Sequence, residues 1–182
     1  MPTRTSADTD IQPSLVHSGQ KDVHMSIQGV KPMVTEQDKR AARRLGDELF
    51  NQGNLSAADE LIAPNAIDHN EPLGTDCREH FKRVVTMLRS SFPDLHLHVE
   101  DMITDGEKIA MRITMTGTHS GPGAFAGIPP SGKRFQIQQM RFARFANGQM
   151  TDSWAVIDMF GWMQQLGAIP ARGSGEALLR GQ

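Results

Sequence analysis

Lys133–Met159, KRFQIQQMRFARFANGQMTDSWAVIDM, is the stretch that decides the fold. Lys133–Phe145 and Gln149–Met159 are rich in the aromatic and branched residues of strands, and Ala146-Asn147-Gly148 between them holds a glycine that can take a positive φ. An antiparallel hairpin follows, in one of two registers. If Asn147-Gly148 forms a two-residue primed turn, Asp152 lies opposite Ala143 and Trp154 opposite Arg141, which mixes apolar and charged groups on both faces. If the loop has three residues with Gly148 as a bulge, Asp152 faces Phe142 and Trp154 faces Met140. One side then collects Gln136, Gln138, Met140, Phe142, Met150, Asp152, Trp154, Val156 and Asp158, and the other holds Gln139, Arg141, Ala143, Thr151, Ser153 and Ala155. The second register is preferred because it separates an apolar face from a polar one, as a half-buried antiparallel sheet requires. Its apolar face still carries two carboxylates and two amides, which points to a pocket.

A carboxylate on such a face is costly to ionise, and desolvation moves it toward the range where it exchanges protons near neutral pH. Asp152, in mid-strand beside Trp154, is therefore the leading acid/base candidate. The alternative is a structural carboxylate at the sheet rim, paired with Arg144 or Arg141. Asp158 falls at the junction with a short closing helix and has capping as its alternative role.

Outward from the hairpin, Leu95, Leu97 and Val99 alternate with His96, His98 and Glu100, and Ile109, Met111, Ile113 and Met115 alternate with polar neighbours, with Asp105-Gly106 as the turn. Upstream the period changes to that of helices. Thr35 caps one through Phe50, a short one covers Ser56 to Ile62, and Thr75 caps a third with Phe81, Val84, Val85, Leu88 and Phe92 on one side. Helices followed by antiparallel strands give an α+β domain with helices packed on one sheet face.

The chain has 182 residues, 38% of them hydrophobic, enough for one domain with a sizeable core. Nineteen basic and 21 acidic side chains leave a net charge of −2 with no basic stripe, which argues against nucleic-acid binding. A single cysteine, Cys77, rules out an intramolecular disulfide and suits a reducing cytoplasm. Residues 1–34 are polar, with three prolines and neither a signal-peptide pattern nor a membrane span, and are expected to be a disordered extension. The domain is placed at 35–168 and a loose tail at 169–182. His96-x-His98 with Glu100 has a spacing that can bind metal, but the pattern equally describes the wet face of a strand, and no metal site is expected. Gly121, Gly123 and Gly127 are followed by prolines that block a helix start, so they form no dinucleotide fingerprint.

Several short motifs follow one another along the chain: Ala66-Ile67-Asp68-His69-Asn70, Phe92-Pro93-Asp94-Leu95, Thr116-Gly117-Thr118-His119, Gly127-Ile128-Pro129-Pro130-Ser131-Gly132-Lys133, Arg144-Phe145-Ala146-Asn147-Gly148, Asp152-Ser153-Trp154, Asp158 and Gln165-Leu166-Gly167. Together they resemble the SnoaL-like polyketide cyclase and ester cyclase group of the nuclear transport factor 2-like superfamily. The resemblance implies a cone-shaped α+β barrel of a curved sheet and helices around an apolar cavity, in a family whose members are commonly dimers or tetramers. It also implies aldol ring closure by a strand aspartate, without metal or organic cofactor, on a small apolar or aromatic carbonyl compound. That aspartate matches Asp152. Gln136 matches a glutamine of the preceding strand, and Gln138 stands where the cyclases carry histidine. Met140, Phe142, Trp154 and Asp158 complete the expected ligand wall, and His69 and His119 are candidate catalytic partners, each with a loop hydrogen-bonding role as its alternative. The chain has no tyrosine, so isomerases that polarise a carbonyl with a tyrosine hydroxyl are poor models. A homodimer is expected through the polar face of Gln139, Arg141, Thr151 and Ser153.

Overall fold

A computed structural model describes residues 33–170. Most of the expected N-terminal extension and nearly all of the expected tail lie outside the described residues. Helix α1 (Glu36–Arg44) starts at Thr35 with a reciprocal capping box, in which the Asp38 amide donates to the Thr35 hydroxyl and the Thr35 amide donates to the Asp38 carboxylate. It runs on through wider π-helical turns over Leu45–Asn51. Then come α2 (Ser56–Leu61), β1 (Ile62–Asp68) and α3 (Cys77–Ser91), the last capped by Asp76 where Thr75 was expected. The chain closes with β2 (His96–Asp105), β3 (Lys108–Thr118), β4 (Arg134–Ala146), β5 (Gln149–Ile157) and α4 (Met159–Leu166).

The five strands form one sheet in the order β1-β5-β4-β3-β2, antiparallel except where β1 runs parallel to β5. The α+β expectation holds. Strand β1 was not foreseen, because its alternation is weak and Pro64 interrupts it; at a sheet edge the missing amide costs no ladder bond. The helices cover one face of the sheet, where Leu49, Phe81, Val85 and Phe92 meet Ile109, Ile137, Ala143, Phe145 and Met150 in one core. The loop after β3 lies against the C-terminal end of α3: Gly121 and Gly123 donate their amides to the Ser91 and Ser90 carbonyls, and a side chain at Gly121 would collide with the Ser90 carbonyl.

The β4–β5 hairpin takes the two-residue turn of the register that was not preferred and then departs from both expected registers. Asn147 (φ 54°) and Gly148 (φ 77°) form a two-residue turn that pairs Ala146 with Gln149. The ladder then slips at a bulge, so that Phe145 pairs with Met150 but Arg144 with Asp152, and Trp154 lies opposite Phe142. The bulge keeps Met150 on the core side and turns Asp152 and Trp154 to the other.

The grouping of Met140, Phe142, Asp152, Trp154 and Val156 on one face is therefore right, but that face is the outer one. Met140, Phe142 and Val156 are 45%, 52% and 74% exposed, whereas Phe135, Ile137, Gln139, Ala143 and Phe145 are buried. Both faces of β4 carry large apolar residues, so alternation alone could not tell which one the helices would cover.

Candidate functional site

The buried face of β4 and β5, helix α3 and helix α4 enclose a cavity of about 310 Å³. Its walls are apolar, with Val84, Met87 and Leu88 from α3 on one side and Met115, Phe125 and Trp162 on another. Its polar groups are Asp68, Asn70, Glu71, His80, Gln139 and Arg141. A second, apolar cavity of about 40 Å³ adjoins it, and Phe50, Phe81, Gln139 and Arg141 line both.

The end of β1 brings the acid in. Alternation along the strand sends Ile67 and His69 outward and Asp68 to the cavity, the opposite orientation of neighbours that an extended Asp68-His69 pair demands. Beyond the strand, Asn70 continues the pairing with its side chain: its amide nitrogen donates to the Ala155 carbonyl at 2.9 Å and its amide oxygen accepts from the Ala155 N–H at 2.7 Å. The Asp68 carboxylate accepts from the Asn70 backbone amide at 3.0 Å. His80 Nε2 stands 3.7 Å from a Glu71 carboxylate oxygen.

Arg141 projects from the middle of β4. One terminal nitrogen donates to the Ser153 hydroxyl at 2.7 Å, and with the Gln139 amide oxygen turned toward the guanidinium, Nε and Nη2 donate to it at 3.3 and 3.0 Å. Its carbon lies 5.2 Å from the centre of the Phe81 ring, on the cation-π face. Burial pulls the Arg141 pKa below the ordinary arginine value, opposed by the charge of Asp68. Burial also pushes the Cys77 thiol up to about 11, with Asp68 adding to the shift, so this thiol stays neutral.

The residues singled out from the sequence sit elsewhere. Asp152, on the outer face, has an oxygen 2.9 Å from His69 Nε2, accepts from the Thr151 hydroxyl at 3.0 Å and lies 3.8 Å from Arg144. His69 stacks on Trp154, with ring centroids 4.2 Å apart and planes 7° from parallel, and the Arg144 guanidinium carbon lies 5.5 Å from the Trp154 centroid. The cluster joins β1 to β5. Asp152, Trp154, Met140 and Phe142 are thus corrected as cavity residues, because the bulge and the helix layer place them outside. Pairing of Asp152 with Arg144 was the alternative role.

Gln138 lies on the same outer face, with its amide 3.5 Å from Thr114 Oγ1, and Gln136 is held through its backbone by the Gln165 side chain near the sheet end. Asp158 caps α4, accepting from the Gly161 amide at 2.8 Å. His119 is fully buried against Phe92, with Ser131 Oγ 3.3 Å from its Nδ1, outside the cavity lining. Of the expected histidines, His69 does meet Asp152, but on the outer face. Asp68, His80 and Arg141 were missed as site residues; the one sequence signal for Arg141 was a charged residue amid the alternating apolar positions of β4.

A family model for SnoaL-like polyketide cyclases matches residues 40–166. The chain belongs to this family. This SnoaL-like protein is 29% identical over 126 residues to the aklanonic acid methyl ester cyclase of Streptomyces peucetius, a match that spans 66% of this chain and 84% of that one. It is 27% identical over 124 residues to the nogalonic acid methyl ester cyclase of Streptomyces nogalater, over 65% of this chain and 89% of that one. Wild-type IdmH from Streptomyces antibioticus superposes with a TM-score of 0.62 at 31% identity, covering 72% of this chain and 99% of its own. TsrD from Streptomyces laurentii, at a TM-score of 0.68 and 23% identity over 75% of this chain and 99% of that one, shares the fold. Among the described residues no helix is long and apolar enough to cross a membrane, and no group of three or more His, Cys, Asp or Glu residues could hold a metal ion.

Proposed function

We propose that this SnoaL-like protein is a cyclase- or isomerase-type enzyme that works without a cofactor on a small, largely apolar carbonyl compound. The observation that carries the proposal is a carboxylate, Asp68, and a guanidinium, Arg141, on the wall of one apolar cavity in a chain whose curated relatives are ester cyclases. Asp68 takes a proton from the carbon that the substrate's carbonyl groups acidify. The resulting carbanion attacks a second carbonyl, closing a ring, and Asp68 returns the proton to the alkoxide oxygen so formed. Gln139 and Arg141 orient the substrate's oxygen functions, and the apolar walls hold its body. The acid/base role expected of Asp152 passes to Asp68, because a general base must reach the proton it removes.

The test is ring closure of aklanonic acid methyl ester and nogalonic acid methyl ester, followed by mass spectrometry and absorbance. Asp68→Asn is expected to lower turnover roughly a hundredfold or more. Native-rate turnover by this variant would refute the role of Asp68.

The expected homodimer also moves. Gln139, Arg141 and Ser153 lie inside, so we assign the pairing surface to the outer sheet face, where Met140, Phe142 and Val156 stand exposed beside both signs of charge, Arg112 with Asp101 and Arg144 with Asp152. A face that is apolar and carries both signs can complement its own copy across a two-fold axis. The free, buried thiol of Cys77 suits a reducing cytoplasm.

A further inference from the structure

We infer that the ligand of this cavity is an anion whose carboxylate docks on Arg141, so that the chain prefers a free acid to its methyl ester. The inference rests on the proposed use of the same cavity and adds the charge of its occupant.

Guanidinium carries five N–H donors. In Arg141 three of them are used by neutral acceptors, Nη1 on Ser153 and Nε and Nη2 on Gln139. One N–H on each terminal nitrogen is left to donate to a carboxylate. None of the ion pairs within 4.0 Å among the described residues includes Arg141. The two acidic groups that act on it electrostatically are Asp68 and Cys77. Cys77 is a neutral thiol, and Asp68 acts from beyond ion-pair distance. A buried charge without a close partner is costly. A substrate carboxylate would relieve that cost on binding, whereas a methyl ester has no charge to offer. The apolar side of the cavity, Val84, Leu88, Met115, Phe125 and Trp162, suits an aromatic or alicyclic body attached to that carboxylate.

The probes are 2-naphthoate and methyl 2-naphthoate, titrated calorimetrically against the full chain and against Arg141→Gln. Naphthoate is expected to bind at least tenfold more tightly than its ester, and Arg141→Gln to abolish the difference by weakening naphthoate far more than the ester. Equal affinity for acid and ester, an acid preference that survives in Arg141→Gln, or binding of neither probe at millimolar concentration overturns the inference. The two proposals fail separately. Asp68-dependent ring closure of the methyl esters with no acid preference leaves the activity standing and removes the anion, and an Arg141-dependent acid preference with no effect of Asp68→Asn on turnover does the reverse.

Discussion

Asp152→Asn tests whether the hairpin bulge decides the chemistry. The Asp152 carboxylate, with its side chain 16% exposed, contacts His69 at 2.9 Å, Thr151 at 3.0 Å and Arg144 at 3.8 Å. Asparagine keeps an acceptor for one of these neighbours and loses the charge. Replacing a charge-assisted hydrogen bond by a neutral one costs about 1 kcal/mol. The half-exposed Arg144 pair adds a few tenths, since solvent screens it. For a domain of this size about 1 kcal/mol lowers the melting temperature by roughly 3 °C. Because Asp152 does not line the cavity, turnover of a substrate should stay within about twofold of the native rate. The assay pairs urea unfolding with the ring-closure measurement, and Asp68→Asn is run beside it as the variant expected to lose rate and keep stability. A hundredfold loss of rate in Asp152→Asn, with unfolding unchanged, would refute the reasoning and return the acid to the outer face.

Two further outcomes follow from the same geometry. Burial pushes the Asp38 pKa upward, but hydrogen bonds from Thr35 and from the Gly148 amide outweigh it and hold the carboxyl below its usual value of 3.8; its stabilisation is therefore complete above that value and fades as pH falls through the lower folded-state pKa. Asp38→Asn should cost about 1–3 kcal/mol at pH 7 and flatten the stability profile below about pH 4, and urea unfolding from pH 2.5 to 7 with an unchanged slope would contradict this. If the chain pairs as proposed, Phe142→Lys should convert the proposed dimer to a monomer in light scattering with the cavity intact; an unaltered mass would remove the outer face as the pairing surface.

The elements of this protein were largely legible in its sequence, because they rest on local chemistry. Thr35 announces a helix start, the alternation of β2 and β3 announces strands, and Ala146-Asn147-Gly148 announces a turn, though not its two-residue form. The order of short motifs also carried the family. The sequence could not announce the bulge at Thr151, since one extra residue in a ladder changes no composition, yet it moves every later side chain of β5 to the opposite face. Nor could it choose between two apolar faces of β4, a choice made only when α3 and α4 packed against one of them. Asp68, His80 and Arg141 come from a strand end, a helix and a mid-strand position far apart in the chain, and no spacing links them. Their meeting around one cavity depends on the parallel docking of β1 on β5, and that long-range contact decided which carboxylate faces the cavity.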